Sequence, residues 1–329
     1  MSAGERVAEA LTGRPAILGG EAAFPEGLQL VRPAVPDPDA VARDVRGIVE
    51  SRILTNGPFG RELEERLAEY LGVRHVVAVA SCTLGLMLVL RAHGLTGSVV
   101  VPSFTFSATV HAVAWNGLRP IFADVSRDTL TLDPEDAGAA LGADGAAVVA
   151  THTFGTPCDI EGLAQATAGR EVPLIYDAAH ALGSRHRDTP IGSFGVAEVF
   201  SLTPTKLVVA GEGGVIATND DELAEACRIG REYGNPGDYD TRMVGLNARM
   251  SEFHAAMALR SFEGLDERVA RRGELAGRYR ERLEAVPGLS FPAVREGDIS
   301  TFKDLTVLVE PEGSGIDAAC LARALAAEG

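Results

Sequence analysis

Between residues 76 and 231 short β-branched runs alternate with helical stretches, and this alternation narrows the possible folds more than any other feature. Strand candidates recur at 76–80, 99–101, 119–123, 146–150, 174–176, 199–202 and 215–217. Helical segments fit between most of them, at 83–93, 105–116, 134–141, 160–168 and 221–231. Parallel strands need a crossover between them, so the expected core is a mostly parallel sheet covered by helices on both faces. Upstream, 37–51 and 61–71 read as amphipathic helices joined by the turn Thr55-Asn56-Gly57-Pro58. From about Asn247 the pattern changes. A long helical stretch runs to about residue 285, with kinks expected near Gly264 and Gly273, followed by a strand at 305–309 and a last helix at 317–327. The expectation is an α/β chain with a large domain over 1–245 and, over 246–329, a linker helix and the start of a smaller α+β domain. With 329 residues, 46% of them hydrophobic, the chain can bury a large core.

Charge and composition remove several functional classes. A net charge of −16 argues against nucleic acid and anionic membranes as main partners. Residues 1–14 carry no secretory pattern. The uncharged run 76–90 is too short for a bilayer and is interrupted by Ser81, Thr83 and Gly85. Cys82, Cys158, Cys227 and Cys320 show no paired spacing, and the seven histidines form no metal-binding pair. The reading is a reduced, cytoplasmic, metal-free protein.

The chain has 28 arginines but only two lysines, Lys206 and Lys303. Arginine cannot lose its proton at working pH and so cannot form an imine, whereas a lysine can once burial lowers its pKa. Lys206 follows an apolar strand-like run and precedes the turn Gly211-Glu212-Gly213-Gly214, a place where a strand end delivers it into a cleft. Ser81-Cys82-Thr83-Leu84-Gly85 lies between a strand and a helix, where unpaired N–H groups suit a phosphate. Ser81 alone reads as an ordinary N-cap. Asp177, in Tyr176-Asp177-Ala178-Ala179-His180, follows another strand and falls in the crevice where parallel sheets bind ligands. A phosphate turn, a strand-end Asp and a Ser-x-x-x-x-Lys, in that order, meet the needs of pyridoxal 5′-phosphate (PLP). That cofactor requires an imine-forming lysine, a carboxylate for its pyridine nitrogen and donors for its phosphate.

Over nearly its whole length the chain resembles the DegT/StrS-type sugar aminotransferases, fold type I PLP enzymes. The matching segments include Leu54-Thr55-Asn56-Gly57-Pro58, Val101-Pro102-Ser103-Phe104-Thr105-Phe106 and His152 through Asp159. Asp177-Ala178-Ala179-His180, Ser193-Phe194-Gly195, Thr205-Lys206 and Asn247-x-Arg249-Met250-Ser251-Glu252 continue the series. The resemblance implies that Lys206 forms the imine and shuttles the proton, and that Asp177 pairs with the pyridinium nitrogen. It implies His180, where many relatives have Gln, at the ring's phenolic oxygen, and Phe106 stacked on the ring. Cys82, Thr83 and Ser201 would hold the phosphate. Asn247 and Arg249 would reach the cofactor of a neighbouring subunit, which makes a homodimer with composite sites. Thr55, Asn56 and Gly57 would border the substrate cleft.

Two departures from that resemblance stand out. Relatives usually carry Gly at the place of Cys82, so a left-handed backbone there would strain the cysteine. Relatives also continue beyond the last helix, so the smaller domain reads as truncated, with an unpaired sheet edge expected. The implied activity is amination of a nucleotide-linked keto sugar with glutamate as donor. The segments around His152 and Asp177 look closest to the branch acting on dTDP-4-keto-6-deoxyhexoses. Alternatives are a 3-keto-sugar, keto-cyclitol or amino-aromatic aminotransferase, a sugar 3-dehydratase (against which Lys206 itself counts), and a PLP-binding sensor without turnover. Elsewhere, Trp115 is expected in the core. The arginines at 268, 271, 272, 278, 280 and 282 are expected on a solvated helix face.

Overall fold

The computed structural model describes residues 13–329. They form two compact units, the larger from 33–276 and 293–305 and the smaller from 13–32, 277–292 and 306–329. In the larger unit the strands are β1 (His75–Val79), β2 (Ser98–Pro102), β3 (Arg119–Ala123), β4 (Gly145–Thr151), β5 (Leu174–Asp177), β6 (Ala197–Ser201) and β7 (Gly214–Thr218). They make one sheet in the order β1-β7-β6-β5-β4-β2-β3. The run from β6 to β3 is parallel, while β7 pairs antiparallel with both β1 and β6. Six strands therefore point one way and one points back.

Period-two alternation fills a core on each face of this sheet. Val76, Ala78, Val100, Val148, Ala150, Tyr176, Phe200, Val215 and Ala217 enter one cluster. Their neighbours Val77, Val79, Val99, Val101, Ala147, Val149, Ile175, Val199 and Ile216 enter the other. Strands buried on both faces read as continuous apolar runs, as these do.

Helices α1 (Pro38–Ser51), α2 (Pro58–Leu71), α3 (Cys82–Ala92), α4 (Ser107–Trp115), α5 (Pro134–Ala140), α6 (Ile160–Ala168) and α7 (Asp221–Gly230) alternate with or precede the strands. α8 (Glu252–Phe262) and α9 (Leu265–Leu283) follow. α2 buries Leu63, Leu67 and Leu71, one helical face at four-residue spacing. Its free amides find a distant cap. The Glu252 carboxylate, on a residue only 1% exposed, accepts from the N–H groups of Gly57, Phe59 and Gly60 at 3.0, 2.9 and 3.0 Å. A Cβ at position 57 would lie 2.5 Å from that carboxylate, so only glycine fits.

The expected kink near Gly264 is the break between α8 and α9, but α9 runs unbroken through Gly273. Trp115 is 75% exposed and does not enter either core. It ends α4 on the side away from the residues that pack, Ala112 and Val113. The arginine face of α9 is not simply solvated. Arg268 donates to the carbonyl of Ser261, Arg272 to those of Phe302 and Lys303, and Arg280 to that of Pro292. Of the expected 305–309 strand only Leu308–Val309 is extended in a ladder.

In the smaller unit Leu289–Ser290 and Leu308–Val309 pair antiparallel, and a helix spans Ala318–Ala327. The Glu328 carboxylate there accepts from the N–H groups of Ala16 and Ala23 at 2.8 and 2.9 Å. Among the described residues no helix is long and apolar enough to cross a membrane.

Candidate active site

Three parallel strands end side by side and deliver Thr151, Asp177 and Ser201, while β1 hands over to α3 through Ser81. These ends, with the loop that carries Lys206, line a cavity of about 650 Å³. Placement at the carboxyl ends of parallel strands follows from the topology, since the connections leave a crevice there.

α3 begins as a capped helix. Ser81 Oγ accepts from Leu84 N–H at 3.2 Å, the ordinary N-cap bond. The N–H groups of Cys82 and Thr83 stand in the first turn, where no intrahelical acceptor exists, and both residues line the cavity. Cys82 opens the helix and is not among the residues with positive φ, so the backbone strain expected of a cysteine here is absent. Its thiol donates to the Val199 carbonyl at 3.4 Å and lies 3.9 Å from Asp177 Oδ1. Burial first, and then the Asp177 charge, push that thiol well above the usual range, so it behaves as a small apolar group.

Asp177 is 3% exposed at the floor of the cavity. Its Oδ1 accepts from Ala179 N–H at 3.1 Å and its Oδ2 from Thr109 Oγ1 at 2.6 Å. Burial raises its pKa, and the Thr109 and Ala179 bonds pull against that rise. Thr109 belongs to a chain of hydroxyls. Thr105 Oγ1 lies 2.8 Å from Thr109 Oγ1 and 2.9 Å from Thr151 Oγ1. An ionised carboxylate only accepts, so with Asp177 charged the single proton of each hydroxyl points the same way, from Thr151 through Thr105 and Thr109 to Asp177.

Lys206 is half-buried, and its N–H donates to the Thr203 carbonyl at 3.0 Å, which turns the loop back into the cavity. Burial first, and then the charge of Lys303, hold its amine below the usual lysine range. The described residues supply no hydrogen bond or ion pair to its Nζ. His180 is pushed down to about 3 by burial and then by Lys206 and Lys303, so its ring is neutral. Its Nδ1 is buried without a partner. Phe154 lies nearly parallel to that ring, with 6.5 Å between centroids.

Of the residues singled out from sequence, Cys82, Thr83, Phe106, Asp177, His180, Ser201 and Lys206 all line this cavity. The others do not. Asn56 and Arg249 line a separate cavity of about 750 Å³, where both bond to Glu232, at 2.7 and 2.8 Å. Asn247 is exposed and pairs by backbone with the same Glu232. Thr55 pairs by backbone with Ser251, and Gly57 is held by Glu252. Sequence reasoning passed over Thr109, Thr151, Phe154 and Lys303. Nothing local marks the first three, but Lys303 was marked by the scarcity of lysine.

The donor set fits PLP. A buried carboxylate, an unpaired amine, an orphaned imidazole nitrogen and free amides at a helix start surround one space. Among the described residues no cluster of His, Cys, Asp and Glu is arranged to hold a metal ion.

Comparison with known proteins agrees. The profile of the DegT/DnrJ/EryC1/StrS aminotransferase family matches residues 38–329. The spore coat polysaccharide biosynthesis protein SpsC of Bacillus subtilis (strain 168) is 33% identical over 288 residues, 83% of this chain and 74% of SpsC. The crystal structure of DesI in the presence of its TDP-sugar product superposes with a TM-score of 0.90 at 38% identity, covering 95% of this chain and 80% of DesI. The crystal structure of 3-amino-5-hydroxybenzoic acid synthase gives a TM-score of 0.76 at 30% identity, covering 80% and 71% of the two chains. The chain therefore belongs to the DegT/DnrJ/EryC1/StrS aminotransferases, PLP-dependent enzymes of fold type I.

Proposed function

We propose that this aminotransferase moves an amino group from glutamate to the keto carbon of a nucleotide-linked sugar, with a dTDP-4-keto-6-deoxyhexose as the acceptor. The observation that carries the reading is the unpaired Lys206 amine in a cavity floored by Asp177, together with the likeness to DesI, studied with its TDP-sugar product. When bound, PLP supplies the electron sink that makes the substrate's C–H bond acidic. Lys206 would take that proton from the substrate carbon and pass it to the cofactor, a role open to an amine whose pKa burial has lowered. Asp177, whose carboxylate accepts from Thr109 and Ala179, would hold the ring nitrogen protonated. His180 offers its orphaned Nδ1 to the phenolic oxygen, and Cys82, Thr83 and Ser201 hold the phosphate. Phe106, 73% exposed at the rim, covers the ring face.

The homodimer belongs to the same proposal. Asn247 and Arg249, with Thr55, Asn56 and Gly57, stand outside this chain's own cavity, as residues that serve a second copy's site would. A second reading, an amino-aromatic or cyclitol product, draws on the likeness to 3-amino-5-hydroxybenzoic acid synthase. The test is to incubate protein, PLP and glutamate with dTDP-4-keto-6-deoxyglucose, its 3-keto isomer and a keto-cyclitol, and to identify products by mass. The proposal expects amination of the 4-keto sugar. Amination of only the 3-keto sugar or only the cyclitol would overturn the acceptor and leave the aminotransferase standing.

A further inference from the structure

Lys303 is the only lysine besides Lys206 in a chain with 28 arginines, and the two line one cavity. They border a small adjoining void together as well. The segment that brings Lys303 there is firmly built. Thr301, fully buried, donates its hydroxyl to the His180 carbonyl at 2.6 Å and its N–H to Ser184 Oγ at 3.2 Å. Lys303 N–H donates to the Phe154 carbonyl at 2.9 Å. Arg272 grips the carbonyls of Phe302 and Lys303 at 2.9 and 2.7 Å. Phe302 and Phe154, on either side of that backbone bond, both have left-handed φ, 42° and 57°. Bulky residues adopt that conformation only where surrounding bonds impose it, and such places cluster at functional sites.

The Lys303 ammonium bonds both oxygens of Asp304, at 3.0 and 2.9 Å. Its side chain is 13% exposed and that of Asp304 is 49% exposed. A half-exposed pair between sequence neighbours is weak, so another carboxylate can take the place of Asp304. Position narrows the candidates. In an amino acid the reacting carbon carries both the exchanging nitrogen and the carboxylate. Lys303 shares both the cavity wall and the adjoining void with Lys206, so it stands where a carboxylate on that same carbon can be met. A nucleotide's diphosphate, by contrast, is separated from the reacting carbon by the sugar ring.

We propose that Lys303 receives the α-carboxylate of the amino-acid donor, displacing Asp304, and so turns the donor's α-carbon toward Lys206. The proposal rests on the aminotransferase reading above and adds the group that recognises the donor. It is tested on the PLP-loaded enzyme by following the cofactor's absorbance as L-glutamate is added without sugar. Lys303→Met is expected to raise the apparent Kd for L-glutamate about 10- to 100-fold, the range for a lost charge-assisted bond. Reaction with 4-aminobutyrate, which lacks the α-carboxylate, and the KM for the sugar nucleotide should not move. Asp304→Asn, which removes the competing anion, should tighten L-glutamate binding, and it tests the idea even if Lys303→Met folds poorly. An unchanged Kd in Lys303→Met, equal weakening for 4-aminobutyrate or the sugar nucleotide, or weaker glutamate binding in Asp304→Asn would each overturn the proposal. If the wild-type enzyme reacts with no amino acid at all, the aminotransferase reading fails instead.

Discussion

Asp177 and His180 stand three residues apart and are pushed in opposite charge directions by the same burial. The carboxyl is raised and the imidazole lowered, because both lose their charged form when water is withdrawn. Each carries a prediction for protein freed of cofactor. His180 binds its proton near 6.5 when unfolded and near 3 when folded. The unfolded chain thus holds more protons across that window, so stability falls as pH drops from 6.5 toward 3. His180→Gln should flatten that stretch of a urea-midpoint profile against pH, and an unchanged slope would place the acid loss elsewhere. Asp177 runs the other way: its folded pKa is raised, so its contribution is lost as pH rises above the unfolded value. Thr109→Val, which removes the 2.6 Å bond to Asp177, should cost about 1.5–3 kcal/mol at neutral pH. That cost should shrink on acidification as the carboxyl takes up its proton, and Thr109→Ser should restore most of it. A pH-independent loss would mean that Thr109 contributes packing alone. Asp177 and Lys206 were legible in the sequence because strand ends and rare residue types are local signals. Thr109 was not, because what distinguishes it is a carboxylate 68 residues away.

At the scale of elements the sequence was most legible where both faces of a strand are buried and least where a segment is held from outside. All seven strands of the large sheet were anticipated to within about two residues, since continuous apolar runs leave no other use for those positions. Of the 305–309 strand only Leu308–Val309 lies in a ladder, and the bonds of Thr301 and Lys303 to His180, Ser184 and Phe154 that hold the segment before it are invisible in the sequence. Trp115 misled for a related reason: its size suggested burial, but its side of α4 meets no core residue in this chain. The start of α2 yields a further prediction. Glu252→Gln keeps the side chain's size but turns a three-way acceptor into a group with one oxygen. It should destabilise the protein by about 2 kcal/mol or more. Hydrogen exchange should quicken at Gly57, Phe59 and Gly60, and protection as strong as wild type there would show that the cap is dispensable.

For the whole molecule, the exposed aromatic surface bears on how many chains complete one site. Phe106 and Trp115, at opposite ends of α4, are 73% and 75% exposed, and Tyr239 is 95% exposed. Large aromatic surfaces of this kind are common at contacts between subunits. If sites are shared, Lys206→Ala and Asn247→Asp subunits, each inactive alone, should regain activity when mixed. One of the two sites in a mixed dimer then receives both intact residues. No recovery after subunit exchange has been verified would mean that each chain builds its site unaided.

The larger unit is discontinuous, closing only when residues 293–305 return to it after the excursion of 277–292. This has a consequence for birth on the ribosome. A nascent chain that has emerged through α9 already owns the sheet, Asp177 and Lys206, yet its pocket lacks the wall that carries Thr301 and Lys303. The last stitches span more than a hundred residues, as from Thr301 to His180. Contacts so distant along the chain form late. The Lys206 amine thus stays open to any passing aldehyde until 293–305 has been made, and how quickly that segment docks sets how long the exposure lasts.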